Sequence, residues 1–203
     1  MSKYTSTPSD FVVATQNKDK ILEITEILKD MPFHIVSMSD AGFDLDIEET
    51  GLTFEENALI KAQAVHDAIG GYVMADDSGL SIDALGGAPG IYSARFHGKD
   101  STYDEKIAAL WDLLRNVPLF ERTAHFICAI AVILPDGSHF VVRGEIDGII
   151  YDKKVGENGF GYDPVFYVPS LKKTTAQLLP SEKHMISHRG KALRAMLAKL
   201  QGP

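Results

Sequence analysis

Segments patterned like strands and segments patterned like helices alternate along the first half of this chain, and that order limits its fold most strongly. Residues 11–15 predict a buried strand, and residues 18–30 follow with apolar side chains on one helical face. Further strands are predicted at residues 33–38 and 72–76, on either side of a helix with a capping box of Thr53 and Glu56. Together with a hairpin predicted later in the chain, this alternation predicts a mixed-sheet α/β protein.

The second half of the chain changes pattern. Thr102 and Glu105 form a second predicted capping box, after the loop of residues 85–90, LGGAPG. Residues 125–148 predict a long hairpin that turns at Asp136 and Gly137, and residues 181–201 predict one closing helix. With no repeat and no long linker, residues 11–203 are predicted to form a single domain after a flexible stretch at residues 1–10.

Composition narrows the class of protein. The chain has 203 residues, of which 45% are hydrophobic and 24% charged, as expected for one globular domain with an apolar core. Its long apolar run at residues 126–134 is shorter than the ~20 residues that cross a bilayer, so we expect a cytoplasmic protein without a membrane partner. A net charge of −8 argues against a nucleic-acid polymer as partner. The single cysteine, Cys128, lies in the apolar run and is predicted to be a buried small hydrophobe.

Two neighbouring acids, Asp76 and Asp77, follow the predicted third strand. The carboxyl end of a strand in an α/β sheet is the usual ligand site, and adjacent carboxylates repel each other unless a cation or a proton lies near them. Mg²⁺, which prefers oxygen ligands, is the natural occupant, and a second acidic pair at Glu48 and Glu49 points the same way. Alternatively, the two aspartates only cap a turn into residues 78–80, and the pattern leaves both interpretations open.

Three other polar segments are equally ambiguous. Residues 15–20 form a strand-to-helix turn whose backbone N–H groups favour an anion, or an ordinary helix cap. Residues 158–164, NGFGYDP, offer an aromatic face and an acceptor to a flat heterocycle, or a tight turn. Residues 182–194 are rich in basic side chains, which indicates a ligand site or a solvated helical face, and Gly190 inside that helical pattern indicates a close backbone approach.

Taken together and in order, however, these segments resemble the inosine triphosphate pyrophosphatase family over residues 11–200. The matching segments are TQNKDK, EETGLTFEENALIKA, ADDSGLSIDALGGAPGIYSARF, GFGYDPVF and EKHMISHRGKAL. The resemblance implies hydrolysis of ITP, dITP and XTP to the monophosphate and pyrophosphate, with Mg²⁺ as cofactor. It also implies a long mixed β-sheet flanked by helices in two lobes, a substrate groove between the lobes, and a homodimer.

The resemblance also assigns roles to residues. Asp77 matches the proton acceptor and, with Glu48, the metal ligands, and Asp76 is expected to lie behind them. Phe160 is expected to stack on the purine, whereas His188 and Arg189 face the edge of the base. The substrate-binding residues implied are Thr15, Gln16, Asn17, Lys18, Asp19, Lys20, Lys61, Ser78, Phe160, Gly161, Tyr162, Asp163, Lys183, His188 and Arg189. The sequence departs from the family pattern at Gln16, where many relatives carry glycine.

Two other functions fit parts of this pattern. A nucleotide-binding regulator without turnover needs the base pocket and the phosphate turn but not Glu48 and Asp77 together. A phosphomonoesterase that forms an aspartyl-phosphate also uses acids after a strand, but it releases orthophosphate instead of pyrophosphate.

Overall fold

The structure is a computed structural model that describes residues 10–43 and 46–202. The described helices are α1 (Lys18–Leu28), α2 (Phe54–Ile69), α3 (Tyr103–Leu113), α4 (Pro180–Ile186) and α5 (His188–Leu200). The described strands are β1 (Asp10–Val13), β2 (His34–Ser37), β3 (Tyr72–Ile82), β4 (Thr123–Ile133), β5 (His139–Ile150), β6 (Phe166–Val168) and β7 (Lys173–Thr174). Residues 1–9 of the predicted flexible stretch lie outside the described residues, and Asp10 already belongs to β1.

The strands form one mixed sheet in the order β2-β1-β3-β4-β5-β6-β7. Strand β1 pairs in parallel with β2 and with β3, whereas β6 pairs antiparallel with β5 and with β7. The parallel pairs belong to the alternating first half of the chain, where helices provide the crossovers. The predicted α/β class with a mixed sheet and flanking helices is therefore confirmed.

The chain divides into two compact units. The first contains the described residues up to Asp77, Cys128–Gly144, and the residues from Arg189 onward, and the second contains Ser78–Ile127 and Glu145–His188. Each unit has a hydrophobic core of its own. The first core includes Phe11, Ile24, Leu28, Met74, Cys128, Ile130, Leu193 and Met196. The second includes Leu80, Ile82, Ile107, Leu110, Phe126, Ile150, Tyr162 and Phe166.

Strand β3 is longer than the sequence pattern predicts. The predicted end at Asp76 is wrong, because the strand continues through Asp77, Ser78 and Gly79 to Ile82. Ser and Gly favour turns, but alternation resumes after them with Leu80 and Ile82, both fully buried in the second core. The two acids therefore lie within a strand and do not cap a turn.

The predicted closing helix is in fact two helices. Helix α4 ends where the Ser187 N–H donates to the Lys183 carbonyl at 2.8 Å. Ser187 itself has an extended backbone, with ψ 156°, and α5 begins at His188. A serine directly before a helix is a common signal for a helix start, and here it separates two segments of similar helical pattern.

The remaining differences are local. The Thr102–Glu105 capping box is present, whereas at α2 Thr53 caps the Glu56 N–H but the Glu56 carboxylate accepts from the Leu52 N–H instead of completing the box. Strands β6 and β7 have three and two residues, too short to leave a periodic signal. In the described part of the chain, none of the helices combines the length and the hydropathy that spanning a bilayer requires.

Candidate functional site

The neighbouring acids on β3 lie in different surroundings, because successive side chains of a strand point to opposite faces. Asp76 is 0% exposed and Asp77 is 6% exposed. Both belong to the first unit.

Asp76 is surrounded by donors. Its carboxylate forms an ion pair with Lys20, accepts from Arg189 Nε at 3.0 Å, and lies 3.0 Å from Cys128 Sγ, which donates to it. Burial raises the pKa of Asp76, but the positive charges of Arg189 and Lys20 outweigh burial and hold the pKa well below its usual range. Asp76 is therefore a buried, ionised carboxylate. The prediction that Cys128 is buried is also confirmed.

Arg189 is 1% exposed and is held by two acids. Its Nη1 forms an ion pair with Glu23 of helix α1, in addition to the contact of its Nε with Asp76. Burial lowers the pKa of Arg189, but the negative charges of Asp76 and Glu23 outweigh burial and raise the pKa above its ordinary value. The guanidinium therefore keeps its charge. The interpretation of residues 182–194 as a solvated face is wrong for this side chain. Its predicted contact with a base stays a prediction.

Asp77 has one carboxylate oxygen without a protein partner. Its Oδ1 accepts from Lys61 Nζ at 3.0 Å, whereas its Oδ2 is buried and has no hydrogen-bond partner among the described residues. Burial raises the pKa of Asp77, and the charges of Lys61 and Lys20 offset only part of that effect. A buried oxygen with unused acceptor capacity and a raised pKa is suited to accept a proton or to bind a cation.

Lys61, on helix α2, connects Asp77 to the acidic segment before that helix. Its Nζ lies 2.6 Å from Glu49 Oε1, so the contact is with Glu49 and not with Glu48, whose side chain is exposed. Burial lowers the pKa of Lys61, but Asp77 and Glu49 raise it above its ordinary value, so the ammonium stays charged. The sequence pattern had given Glu49 no role of its own, because nothing local links it to a lysine 12 residues later.

The structure brings the carboxylates of Asp77 and Glu49 together here, since Lys61 contacts both. Asp77 also offers a buried oxygen without a partner among the described residues, whereas Glu48 is exposed and its role as a metal ligand stays a prediction. An oxygen-only set of this kind suits Mg²⁺, which binds through one or two carboxylates and completes its shell with water or phosphate oxygens.

The turn before α1 is confirmed as a helix cap. Asn17 is the N-cap, and its Oδ1 accepts from the N–H groups of Asp19 at 2.9 Å and Lys20 at 3.1 Å. Thr15 Oγ1 in turn accepts from the Asn17 N–H at 3.2 Å. Gln16 and Lys18 are exposed, and phosphate binding at this turn stays a prediction.

Asp163 in the second unit is a fully engaged acid. Its Oδ2 accepts from Lys183 Nζ at 2.6 Å and from the Phe160 N–H at 2.9 Å, while its Oδ1 accepts from Thr175 Oγ1 at 2.8 Å. Asp163 is 2% exposed and Lys183 is 4% exposed. Gly159, at φ +74°, is required here because a Cβ would lie 2.1 Å from Asp163 Oδ2. The segment is therefore a tight turn that also orients a carboxylate.

Aromatic rings accompany this pair. Lys183 Nζ lies 5.2 Å from the centroid of the half-buried Phe160 ring. Tyr162 is buried, and its hydroxyl donates to the Ser93 carbonyl at 2.9 Å, so it serves the core of the second unit. Gly161 lies between them at φ +68°.

The other predicted substrate residues of the second unit lie apart from this turn in the chain. The His188 ring stacks on Phe126, with centroids 4.9 Å apart, and His188 is 7% exposed. Ser78 is half-buried within β3. The second unit therefore groups Phe160, Asp163 and Lys183, whereas the first groups Lys20, Lys61, Asp77 and Arg189.

A third charged group lies outside all predicted site residues. The ring of His125 on β4 lies 2.8 Å from Asp147 and 3.3 Å from Glu145 of β5 through Nδ1, and 3.2 Å from Asp83 through Nε2. Partial burial lowers the pKa of His125, but the hydrogen bonds to Asp147 and Asp83 outweigh burial and raise it. A histidine among acids is sufficient to explain this group as a set of ion pairs.

Comparison with known proteins assigns the family. The model of the Ham1 family matches residues 11–199. A dITP/XTP pyrophosphatase of Clostridium perfringens is 46% identical, with 95% of this chain and 97% of that protein covered, and one of Caldanaerobacter subterraneus is 49% identical, with 90% and 91% covered. A solved structure, the Ham1 protein of Staphylococcus aureus, superposes with a TM-score of 0.85 at 45% identity and covers 95% of this chain and 98% of that one. The resemblance inferred from the motifs is thereby confirmed, and the chain belongs to the Ham1 family.

Proposed function

We propose that this chain hydrolyses non-canonical purine nucleoside triphosphates, dITP, XTP and ITP, to the monophosphate and pyrophosphate. The relatives named as dITP/XTP pyrophosphatases cover nine-tenths or more of the chain at 46–49% identity, which supports that activity. The single observation that carries the mechanism is the buried Oδ2 of Asp77, an acceptor without a partner among the described residues.

Asp77 is the proposed proton acceptor. Water attacks the α-phosphorus, a new O–P bond forms as the α–β phosphoanhydride bond breaks, and pyrophosphate leaves. The proton from the water passes to the Asp77 carboxylate. The raised pKa of Asp77 favours this role, because a carboxylate that is too acidic is a poor base. Lys61, which donates to Oδ1, keeps the carboxylate oriented so that Oδ2 is the oxygen that receives the proton.

Glu48 and Asp77 are the proposed ligands of Mg²⁺, which when bound would neutralise charge on the phosphate oxygens. Lys20 pairs with Asp76, and Lys61 pairs with the neighbouring Asp77. Both lysines are proposed to bind phosphate oxygens. The capped turn at residues 15–20 contributes its exposed side chains, Gln16 and Lys18, to the same task.

Phe160, Asp163 and Lys183 are proposed to bind the base. Phe160 offers a half-buried ring for stacking, and Asp163 and Lys183 place an acceptor and a donor beside it. His188 and Arg189 are proposed to read the base edge, where hypoxanthine and xanthine carry a C6 oxygen and adenine an amino group. A donor aimed at that edge favours the first two and is left unpaired by adenine.

A substrate panel with identified products tests the proposal. Purified protein with Mg²⁺ is given ITP, dITP, XTP, ATP and GTP, and the products are separated by anion exchange. We expect monophosphate and pyrophosphate in equal amounts from the first three substrates and much slower turnover of ATP and GTP. Orthophosphate as the only released anion would instead indicate an aspartyl-phosphate enzyme, and binding of ITP without turnover would indicate a regulator.

We also propose that the protein works as a homodimer in the cytoplasm, as the family resemblance implies. A mass near twice 22.2 kDa in dilute solution is the expected result. A mass of one chain at micromolar concentration would contradict the dimer without bearing on the reaction.

A further inference from the structure

Asn57 is a polar side chain on the buried face of helix α2. It is 0% exposed, like Ala58 and Ala62 of the same helix. Its Oδ1 accepts a hydrogen bond from the backbone N–H of Gly51 at 2.8 Å, while its Nδ2 is buried without a hydrogen-bond partner among the described residues. An apolar side chain would fill this position without an unsatisfied donor, so packing alone does not explain an amide here.

Gly51 fits closely against this amide. A Cβ at position 51 would lie 2.7 Å from Asn57 Oδ1 and 2.7 Å from Glu56 Cβ, closer than side-chain carbons approach in proteins. The absence of a side chain therefore lets the backbone of the acidic segment lie directly on the first turn of α2. The contact between Asn57 and Gly51 fixes the path of that backbone.

The same face of α2 holds the acidic segment at a second point. Lys61 lies one helical turn after Asn57, and its Nζ contacts Glu49 at 2.6 Å and Asp77 at 3.0 Å. Asn57 thus fixes the end of the segment at Gly51, and Lys61 fixes Glu49 two residues earlier. Glu48 directly precedes this stretch from Glu49 to Gly51, whose two ends are both held by helix α2.

We propose that Asn57 is a positioning residue for the divalent cation. By holding Gly51, it sets the backbone from which Glu48 reaches the metal, without contacting the metal or the substrate itself. This inference rests on the proposed function, in which Glu48 and Asp77 are the metal ligands. Groups that orient metal ligands typically change metal affinity by about 10–100-fold when they are removed.

The experiment measures the affinity of the nucleotide-free protein for Mn²⁺, followed by electron paramagnetic resonance. Asn57→Ala removes the acceptor, and Gly51→Ala disturbs the same contact from the other side. We expect each variant to weaken Mn²⁺ binding by about tenfold or more. The Mg²⁺ concentration for half-maximal ITP hydrolysis should rise in parallel, with little change of kcat at saturating Mg²⁺.

Val65→Ala is the matched control, because Val65 is a fully buried apolar residue of the same helix, two turns after Asn57. It should lower the thermal midpoint but change Mn²⁺ affinity less than twofold. Asn57→Ala and Gly51→Ala variants that fold and bind Mn²⁺ no more weakly than Val65→Ala would overturn the proposal. Glu48→Gln and Asp77→Asn test the proposed metal ligands themselves. If neither variant weakens Mn²⁺ binding, the proposed ligand set is wrong, and Asn57 positions no metal.

Discussion

Each of the two units contains a lysine–aspartate pair. The pairs differ in how many oxygens of the aspartate accept a hydrogen bond. Asp163 in the second unit receives three donors on its two oxygens, from Lys183, Thr175 and the Phe160 backbone. Asp77 in the first unit receives Lys61 on one oxygen, and its other oxygen is buried without a partner among the described residues. Donors on both oxygens hold a carboxylate in place, whereas a carboxylate with an unused buried oxygen keeps more of its acceptor capacity for chemistry.

The two lysines also differ in the carboxylates that they contact. Lys61 bridges two carboxylates, since it also contacts Glu49 at 2.6 Å. The loss of Asp77 therefore leaves Lys61 paired. Lys183, at 5% side-chain exposure, would lose the carboxylate 2.6 Å away if Asp163 were neutralised. The comparison predicts that neutralising Asp77 lowers turnover with little loss of stability, whereas neutralising Asp163 also lowers stability.

The largest expected effect is the loss of turnover in Asp77→Asn. The amide is a poor proton acceptor and a poorer cation ligand, so kcat should fall by ~10²–10⁴-fold or more, as general base catalysis alone typically contributes that much. The thermal midpoint should stay close to that of the wild type, because Lys61 keeps Glu49. Turnover of ITP by mass spectrometry or coupled pyrophosphate detection measures the effect, and near-normal kcat would exclude Asp77 as the base.

The second effect is the loss of stability in Asp163→Asn. Lys183 would lose the carboxylate 2.6 Å away, and removing one charge of a buried pair typically costs about 3–5 kcal/mol. We expect the free energy of unfolding, measured with urea, to fall by about 3 kcal/mol, against less than about 1 kcal/mol for Asp77→Asn. Equal losses in the two variants would show that the difference in their hydrogen bonding has no energetic consequence.

A third prediction distinguishes two roles of Arg189, recognition of the base edge and stabilisation of the fold. The Arg189→Ala variant should lose at least about tenfold more kcat/KM for ITP than for ATP, because a missing donor at the C6 edge removes the discrimination between them. It should also be less stable, since Asp76 and Glu23 lose a buried partner. Arg194→Ala, at an exposed position of the same helix, is the control for helix α5.

The ratio of the two substrates decides the outcome for Arg189. If kcat/KM for ITP and for ATP fall by the same factor, Arg189 acts only by holding Asp76 and Glu23. The recognition of the base edge must then be assigned to other residues, with Asp163 and Lys183 tested next.

Several helix caps were predicted correctly because their signals are local, although the box at Thr53 and Glu56 is only half formed. Thr102 with Glu105, and Asn17 before α1, act within one helical turn. The end of β3 was mispredicted because Ser78 and Gly79 imitate a turn, and only the burial of Leu80 and Ile82 in a nonlocal core keeps the strand extended.

The candidate site was predictable only as a set of residue types at familiar spacings. Which acid faces which cation depends on contacts between distant segments: Arg189 with Asp76 spans 113 residues, and Lys183 with Asp163 spans 20. No spacing rule pairs Glu49 with Lys61 or places Glu23 against Arg189. The motifs therefore named candidate residues, and the structure shows which contacts those residues make.

The smallest expected effect is at His125, a half-buried histidine whose acidic partners are largely exposed. Hydrogen bonds to Asp147 and Asp83 raise the pKa of His125 above its unfolded value near 6.5. A raised pKa means that the folded protein binds the proton more tightly, so this stabilisation is fully present below pH ~6.5 and is lost as the pH rises through the folded pKa. Since Asp147 is 81% and Asp83 54% exposed, solvent screening keeps the contribution below about 1 kcal/mol. The measurement is the free energy of unfolding in urea at pH 6 and at pH 8.5. The difference between the two pH values should be smaller in His125→Gln than in the wild type. In the wild type, 0.5 M NaCl should also reduce that difference. An unchanged difference in the variant would assign it to other groups and leave the exposed ion pairs without a measurable role.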